Sequence, residues 1–271
     1  MIKVAQEVVK VAGSPPRPES WITPELIQAY ASAAGAVAWP ITAIAVALIF
    51  RRPIKEFLSN ATDIEIAGAK FKRLQQELTD AGKGAKDGPT PPTGPEQARA
   101  AAVAMLLEET PSLVVKEAEA LAFEYERERA SRLPGDERTR RMEVVVAKMR
   151  TIGQAVFPLR HELAASPSPG KRLQAIVALQ VVPDYEMLPW LAERPAKEKP
   201  FVGYHALIAL VQAARSPAAS AHIRELTEAL AIAQQCRTSF GKDADREKFL
   251  RDFEKAVDQL KALKATASAL A

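Results

Sequence analysis

The apolar positions of this 271-residue chain fall into two unlike patterns. From Leu26 to Phe50 no charged residue interrupts the run, and its dense part extends from Ala31 through Trp39 and Pro40 to Phe50. Twenty helical residues at about 1.5 Å each span roughly 30 Å, the hydrocarbon thickness of a bilayer. Thr23-Pro24-Glu25 supplies a helix start, with a capping side chain, Pro in the first turn and an acid against the dipole. The pattern predicts one transmembrane helix, with Pro40 at mid-span, where membrane helices tolerate a kink. A buried helix of a soluble core is the rival reading, because Ala is only weakly apolar. Twenty-five uncharged residues are long for such a helix. Pro15, Pro16 and Pro18 argue against a cleaved signal peptide.

The flanks orient the span. Arg51, Arg52 and Lys55 follow it at once, whereas Lys3, Lys10 and Arg17 stand farther away on the other side. The excess of cations predicts a short outer tail over 1–22, a span with a basic neck over 23–58, and a cytoplasmic C-terminal bulk. Arg51, Arg52 and Lys55 either contact anionic head groups, at about 1 kcal/mol each, or only set topology. Over the juxtamembrane segment 59–81, alternation at Ile64, Ile66 and Phe71 predicts a short strand or hairpin, followed by a helix from Lys72 to Asp80. Eight of the fourteen residues from Gly82 to Pro95 are Gly or Pro, a composition that predicts a free tether.

Over 96–271 the pattern turns to helix after helix. Starts are marked by Thr110-Pro111, Asp136, Ser168-Pro169, Asp184 and Ser216-Pro217. A shift of 31 residues lays Arg141-Met-Glu-Val-Val-Val-Ala147 over Arg172-Leu-Gln-Ala-Ile-Val-Ala178, and that over Gly203-Tyr-His-Ala-Leu-Ile-Ala209. The same shift lays Phe157-Pro158-Leu159 over Leu188-Pro189-Trp190. The expected fold is all-α: one N-terminal transmembrane helix, then stacked helix pairs in which each unit buries its apolar face on the next.

These units resemble HEAT-type or armadillo-like helical repeats over roughly Arg138 to Ala231. The resemblance implies an α-solenoid that binds other macromolecules and has no chemistry of its own. The units are shorter than is usual for that class, so a compact irregular bundle stays open. Leu133-Pro-Gly-Asp-Glu-Arg-Thr-Arg-Arg-Met142, Ser166-Pro-Ser-Pro-Gly-Lys-Arg-Leu173 and Lys199-Pro-Phe-Val-Gly-Tyr-His-Ala206 resemble a module of uncharacterised bacterial proteins. There it accompanies membrane spans or signalling and conflict-type effector domains, and no activity comes with it.

Composition narrows the chemistry. With 48% hydrophobic and 26% charged residues the chain is no polytopic transporter. One cysteine, Cys236, and three histidines leave no material for a disulfide scaffold or a zinc site. No nucleophile elbow, phosphate loop or His-Glu-x-x-His pattern occurs, so the residues predict no catalytic site, no metal, no cofactor and no enzyme. Arg138, Arg140, Arg141, Lys148 and Arg150 form the strongest basic cluster, but acids interleave with it, and 95–271 carries 26 basic against 24 acidic residues. That balance disfavours nucleic acid as a partner.

Arg138, Arg140, Arg141, Trp190 and Tyr204 are the candidate partner surface. Core packing is the competing reading for Trp190 and Tyr204, because Tyr204 aligns with Met142 and Leu173. The expected function is a single-pass scaffold in a bacterial inner membrane, N-terminus outside, recruiting a protein partner at the cytoplasmic face. A membrane-acting effector or sensor of a defence or stress system is the alternative. Small residues spaced four apart, Ser32 with Ala36 and Ala43 with Ala47, would allow homo-oligomers in the membrane.

Overall fold

The computed structural model describes residues 68–86, 88–131 and 133–270, the side chains of 267–270 excepted. All regular structure among them is helical. Residues 68–83 form α1. There follow α2 (Gly94–Leu107), α3 (Pro111–Ser131), α4 (Asp136–Thr151), α5 (Gly153–Val156), α6 (Arg160–Ala165) and α7 (Pro169–Val181). The chain continues through α8 (Leu188–Lys197), α9 (Pro200–Arg215), α10 (Ile223–Gln235) and α11 (Ala244–Leu270). No described helix is long and apolar enough to cross a membrane. The predicted span, with Ala31, Trp39, Pro40 and Phe50, and the basic Arg51, Arg52 and Lys55, lies outside the described residues.

The helices begin where local chemistry starts them. The Glu96 carboxylate accepts from the Thr93 N–H at 2.7 Å and the Thr93 hydroxyl at 2.8 Å, which closes the first turn of α2. Ser168 Oγ accepts from the Lys171 N–H at 3.0 Å and opens α7 ahead of Pro169. Glu126 on α3 reinforces that cap, accepting from Ser168 Oγ at 2.6 Å and from the Gly170 N–H at 3.0 Å.

Two expectations give way near the N-terminal end of the described chain. Residues 68–71, placed in a strand by alternation, are helical. The face that decides is Leu74, Leu78 and Ala81, spaced four and three apart and buried. Leu74 and Leu78 belong to the same apolar core as α3, α4, α7 and α9, so this helix is part of the helical body rather than a segment ahead of it.

Residues 82–95 are likewise not a free tether. Pro92 is buried, the Thr90 carbonyl accepts from Arg150 Nη2 at 2.5 Å, and the Pro92 carbonyl accepts from Gln212 Nε2 at 3.3 Å. Gly and Pro keep the central part of this segment, 84–93, out of helix and sheet, and this strap joins α1 to α2. Its carbonyls then bond to side chains from α4 and α9 instead of to one another.

The three segments related by the 31-residue shift fall on α4, α7 and α9, and α7 packs against both of the others. Met142, Leu173 and Tyr204 are all buried, as are Val145, Ile176 and Leu207, and Ala147, Ala178 and Ala209. After each of these helices the chain makes a 3₁₀ turn, at Phe157–Leu159, Tyr185–Met187 and Ala219–His222, and enters a further helix. The recurring Ala leaves room for close helix approach, and Gly170 carries this to its limit. A Cβ there would lie 2.3 Å from the Ala122 carbonyl oxygen of α3.

Candidate docking groove and a buried polar network

An apolar groove of about 470 Å³ opens between α2, α3 and the α5 turn. Met105, Leu107, Val114, Val115, Pro158 and Leu159 supply most of its walls, and Glu108 is the charged residue among its lining. Met105 is 75% exposed and Val115 41% exposed, which is unusual for side chains that gain by leaving water. The groove exists because Pro111 starts α3 soon after α2 ends, so the two helices diverge from one corner. The 157–159 turn, with Pro158 at its centre, closes the far wall.

Beneath the strap the core holds charge. Glu143, Arg150, Gln180 and His205 are each less than 5% exposed. Tyr204 Oη donates to Glu143 Oε1 at 2.7 Å, and His205 Nε2 lies 3.4 Å from the same oxygen without completing a hydrogen bond. Gln180 Nε2 donates to the His205 carbonyl at 2.8 Å and approaches its Nδ1 at 3.2 Å. Gln180 Oε1 accepts from Arg150 Nε at 3.1 Å. Arg150 then reaches the strap through Thr90, while Glu96 stands 3.7 Å from its Nη1. One polar chain thus runs from α9 through α7 and α4 to the strap.

Burial pushes His205 below its ordinary value against the pull of Glu143. Burial pushes the Glu143 carboxyl up, but His205, Tyr204 and Arg150 outweigh it and hold it below the usual glutamate range. Burial and the neighbouring Glu143 push the Tyr204 phenol far up, which keeps it a donor. Arg150 is lowered by its own burial, with Glu96 and Glu143 opposing.

The candidate partner surface does not stay together. Tyr204 is buried, 5% exposed, with its hydroxyl on Glu143, and it is a core residue. Trp190 is half-buried against the core with the Arg194 guanidinium 4.9 Å from its ring centre. Arg140 and Arg141 are exposed, Arg138 is half-buried, and Arg141 Nε pairs with Glu137 at 2.9 Å. Of the remaining basic cluster, Lys148 pairs with Glu124 at 2.7 Å and Arg150 turns inward, so no continuous basic patch forms from these five.

The sequence reading missed the groove residues Met105 and Val115. For Met105 the signal was the scarcity of charge on α2, where Ala98, Ala102 and Met105 are all exposed; Val115, on α3, had none of that kind.

Among the described residues no group of three or more His, Cys, Asp or Glu stands together as metal ligands. Cys236 is half-buried, and its thiol, raised by burial, donates to the Ala192 carbonyl at 3.5 Å. Comparison with family models, curated proteins and solved structures yields no match for this chain.

Proposed function

We propose that this protein is a single-pass, membrane-anchored helical scaffold that recruits a protein partner at the cytoplasmic face, through the groove between α2, α3 and α5. The observation that carries the reading is the groove itself, with apolar walls whose most prominent side chain, Met105, is 75% exposed. The occupant it suits is an apolar segment of another protein with a basic residue opposite Glu108. The uncharged run from Leu26 to Phe50, followed by Arg51, Arg52 and Lys55, supports anchoring in the inner membrane with the helical body inside. The stacking of α4, α7 and α9 in 31-residue register supports a HEAT-like repeat as the frame that holds the groove rigid.

The test is capture of the full-length chain from its native membranes, wild type beside Met105→Glu. A partner retained by the wild type and lost from the variant, with both chains still in the membrane fraction after alkaline extraction, is the expected result. An unchanged partner set, or a chain released by alkali, contradicts it.

A further inference from the structure

A second groove, of about 420 Å³, crosses the C-terminal ends of α7 and α9 and the starts of α2 and α5. Its lining contains four glutamines, Gln97, Gln154, Gln180 and Gln212, together with Arg215, and no carboxylate. Gln180 is committed on both sides, to Arg150 and to His205. Gln97 and Gln154 are exposed and bond to no other described side chain, and Arg215 is exposed with no ion pair among the described residues.

The chain itself sets one residue of its own strap against this surface. The strap reaches the groove at Pro92, and there the carbonyl of an extended, proline-rich segment accepts from the Gln212 amide at 3.3 Å. A proline-rich chain suits such a surface because it has no internal hydrogen bonds, which leaves its carbonyls open to side-chain donors. A glutamine amide offers a donor and an acceptor like those of a peptide group. Gln97, Gln154 and Arg215 line the same groove.

We propose that this groove binds an extended, proline-rich segment of a partner protein, with an acidic residue of that segment against Arg215. Two observations select this occupant: the chain's own proline-rich strap seated at the groove mouth, and a lining whose sole charge is positive. The proposal extends the scaffold reading by naming the chemistry of a partner. Gln154 lies at the rim of both grooves, so one partner can reach from the apolar groove into this one.

The test uses full-length protein in detergent micelles and fluorescence anisotropy with two labelled probes. One is a proline-rich hexapeptide ending in two aspartates, and the other is the same peptide ending in two lysines. Wild type is expected to bind the aspartate probe about fivefold more tightly, the size of an exposed charge pair. Arg215→Glu is expected to reverse the preference. Because Arg215 is exposed, that variant keeps its core. Met105→Glu, on the other groove, leaves the aspartate probe's affinity unchanged, so the two sites fail independently. Equal affinity for both probes, binding of neither, or an unaltered preference in Arg215→Glu overturns the proposal.

Discussion

Glu143 on α4 is a buried carboxylate whose contacts come from Tyr204 and His205 of α9, and its stability depends on the groups that face it. Burying a charge is costly unless donors replace the lost water, so Tyr204 Oη matters more than its single hydrogen bond suggests. Tyr204→Phe is expected to destabilise the fold by about 1–3 kcal/mol, read as a lowered denaturant midpoint with an unchanged slope.

His205 sets a pH dependence. Its folded pKa lies below the ordinary 6.5, so the unfolded chain binds the proton first as pH falls. Stability is therefore full above about pH 6.5 and declines as pH drops through the folded value. Glu143, also lowered from its ordinary 4.5, adds a second loss at more acid pH. Replacing His205 by Asn is expected to flatten the decline between pH 6.5 and 5, measured by urea melts across that range. A slope identical to wild type would remove His205 as its source. At Gly170 the constraint is steric. Gly170→Ala drives a Cβ against the Ala122 carbonyl and is expected to cost about 1–3 kcal/mol by parting α3 from α7.

The strap over 84–93 shows how an element is decided by partners far along the chain. Its Gly and Pro content announces that it forms neither helix nor strand, and that much was legible. Its position was not, because Arg150 lies 60 residues from Thr90 and Gln212 lies 120 residues from Pro92. Composition carries no information about such pairs. The first described helix was obscured for a different reason. Alternation at Ile64, Ile66 and Phe71 runs over a window too short to separate periods of 2 and 3.6, and of these three only Phe71, which is helical, lies among the described residues. Only the run on to Leu74, Leu78 and Ala81 reveals the helix. The start at Ser168 was readable because a cap acts within a few residues, and Asp184 likewise caps the Tyr185–Met187 turn ahead of α8; Asp136 instead follows the Gly135 cap as the first residue of α4, and Ser216 closes α9 rather than opening a helix. Arg150→Met is expected to release the strap. Amide exchange at Thr93, whose N–H donates to Glu96 beside Arg150, should rise well before that of α7 and α9 does. Exchange that rises everywhere together would mean that Arg150 serves the whole core rather than the strap.

At the scale of the molecule, the all-helical class and the 31-residue register of α4, α7 and α9 were both open to sequence reading, because buried positions recur at the same places in each. The apolar groove was not, since it arises where α2 and α3 diverge from one corner against the 157–159 turn, and no local pattern records that meeting. The basic cluster misled for the same reason. Side chains near one another in sequence part company in the fold, with Arg150 inward and Lys148 on Glu124. On the proposed function, a membrane anchor carries a helical frame that presents an apolar groove to a partner.

Photo-cross-linking in intact cells tests that claim most directly. A photoreactive residue in place of Met105 is compared with one in place of Leu263, which is 69% exposed on α11. One discrete cross-linked partner is expected from position 105, absent from position 263 and lost when Val115 is changed to Glu. The same product from both positions, or none from position 105, would contradict it.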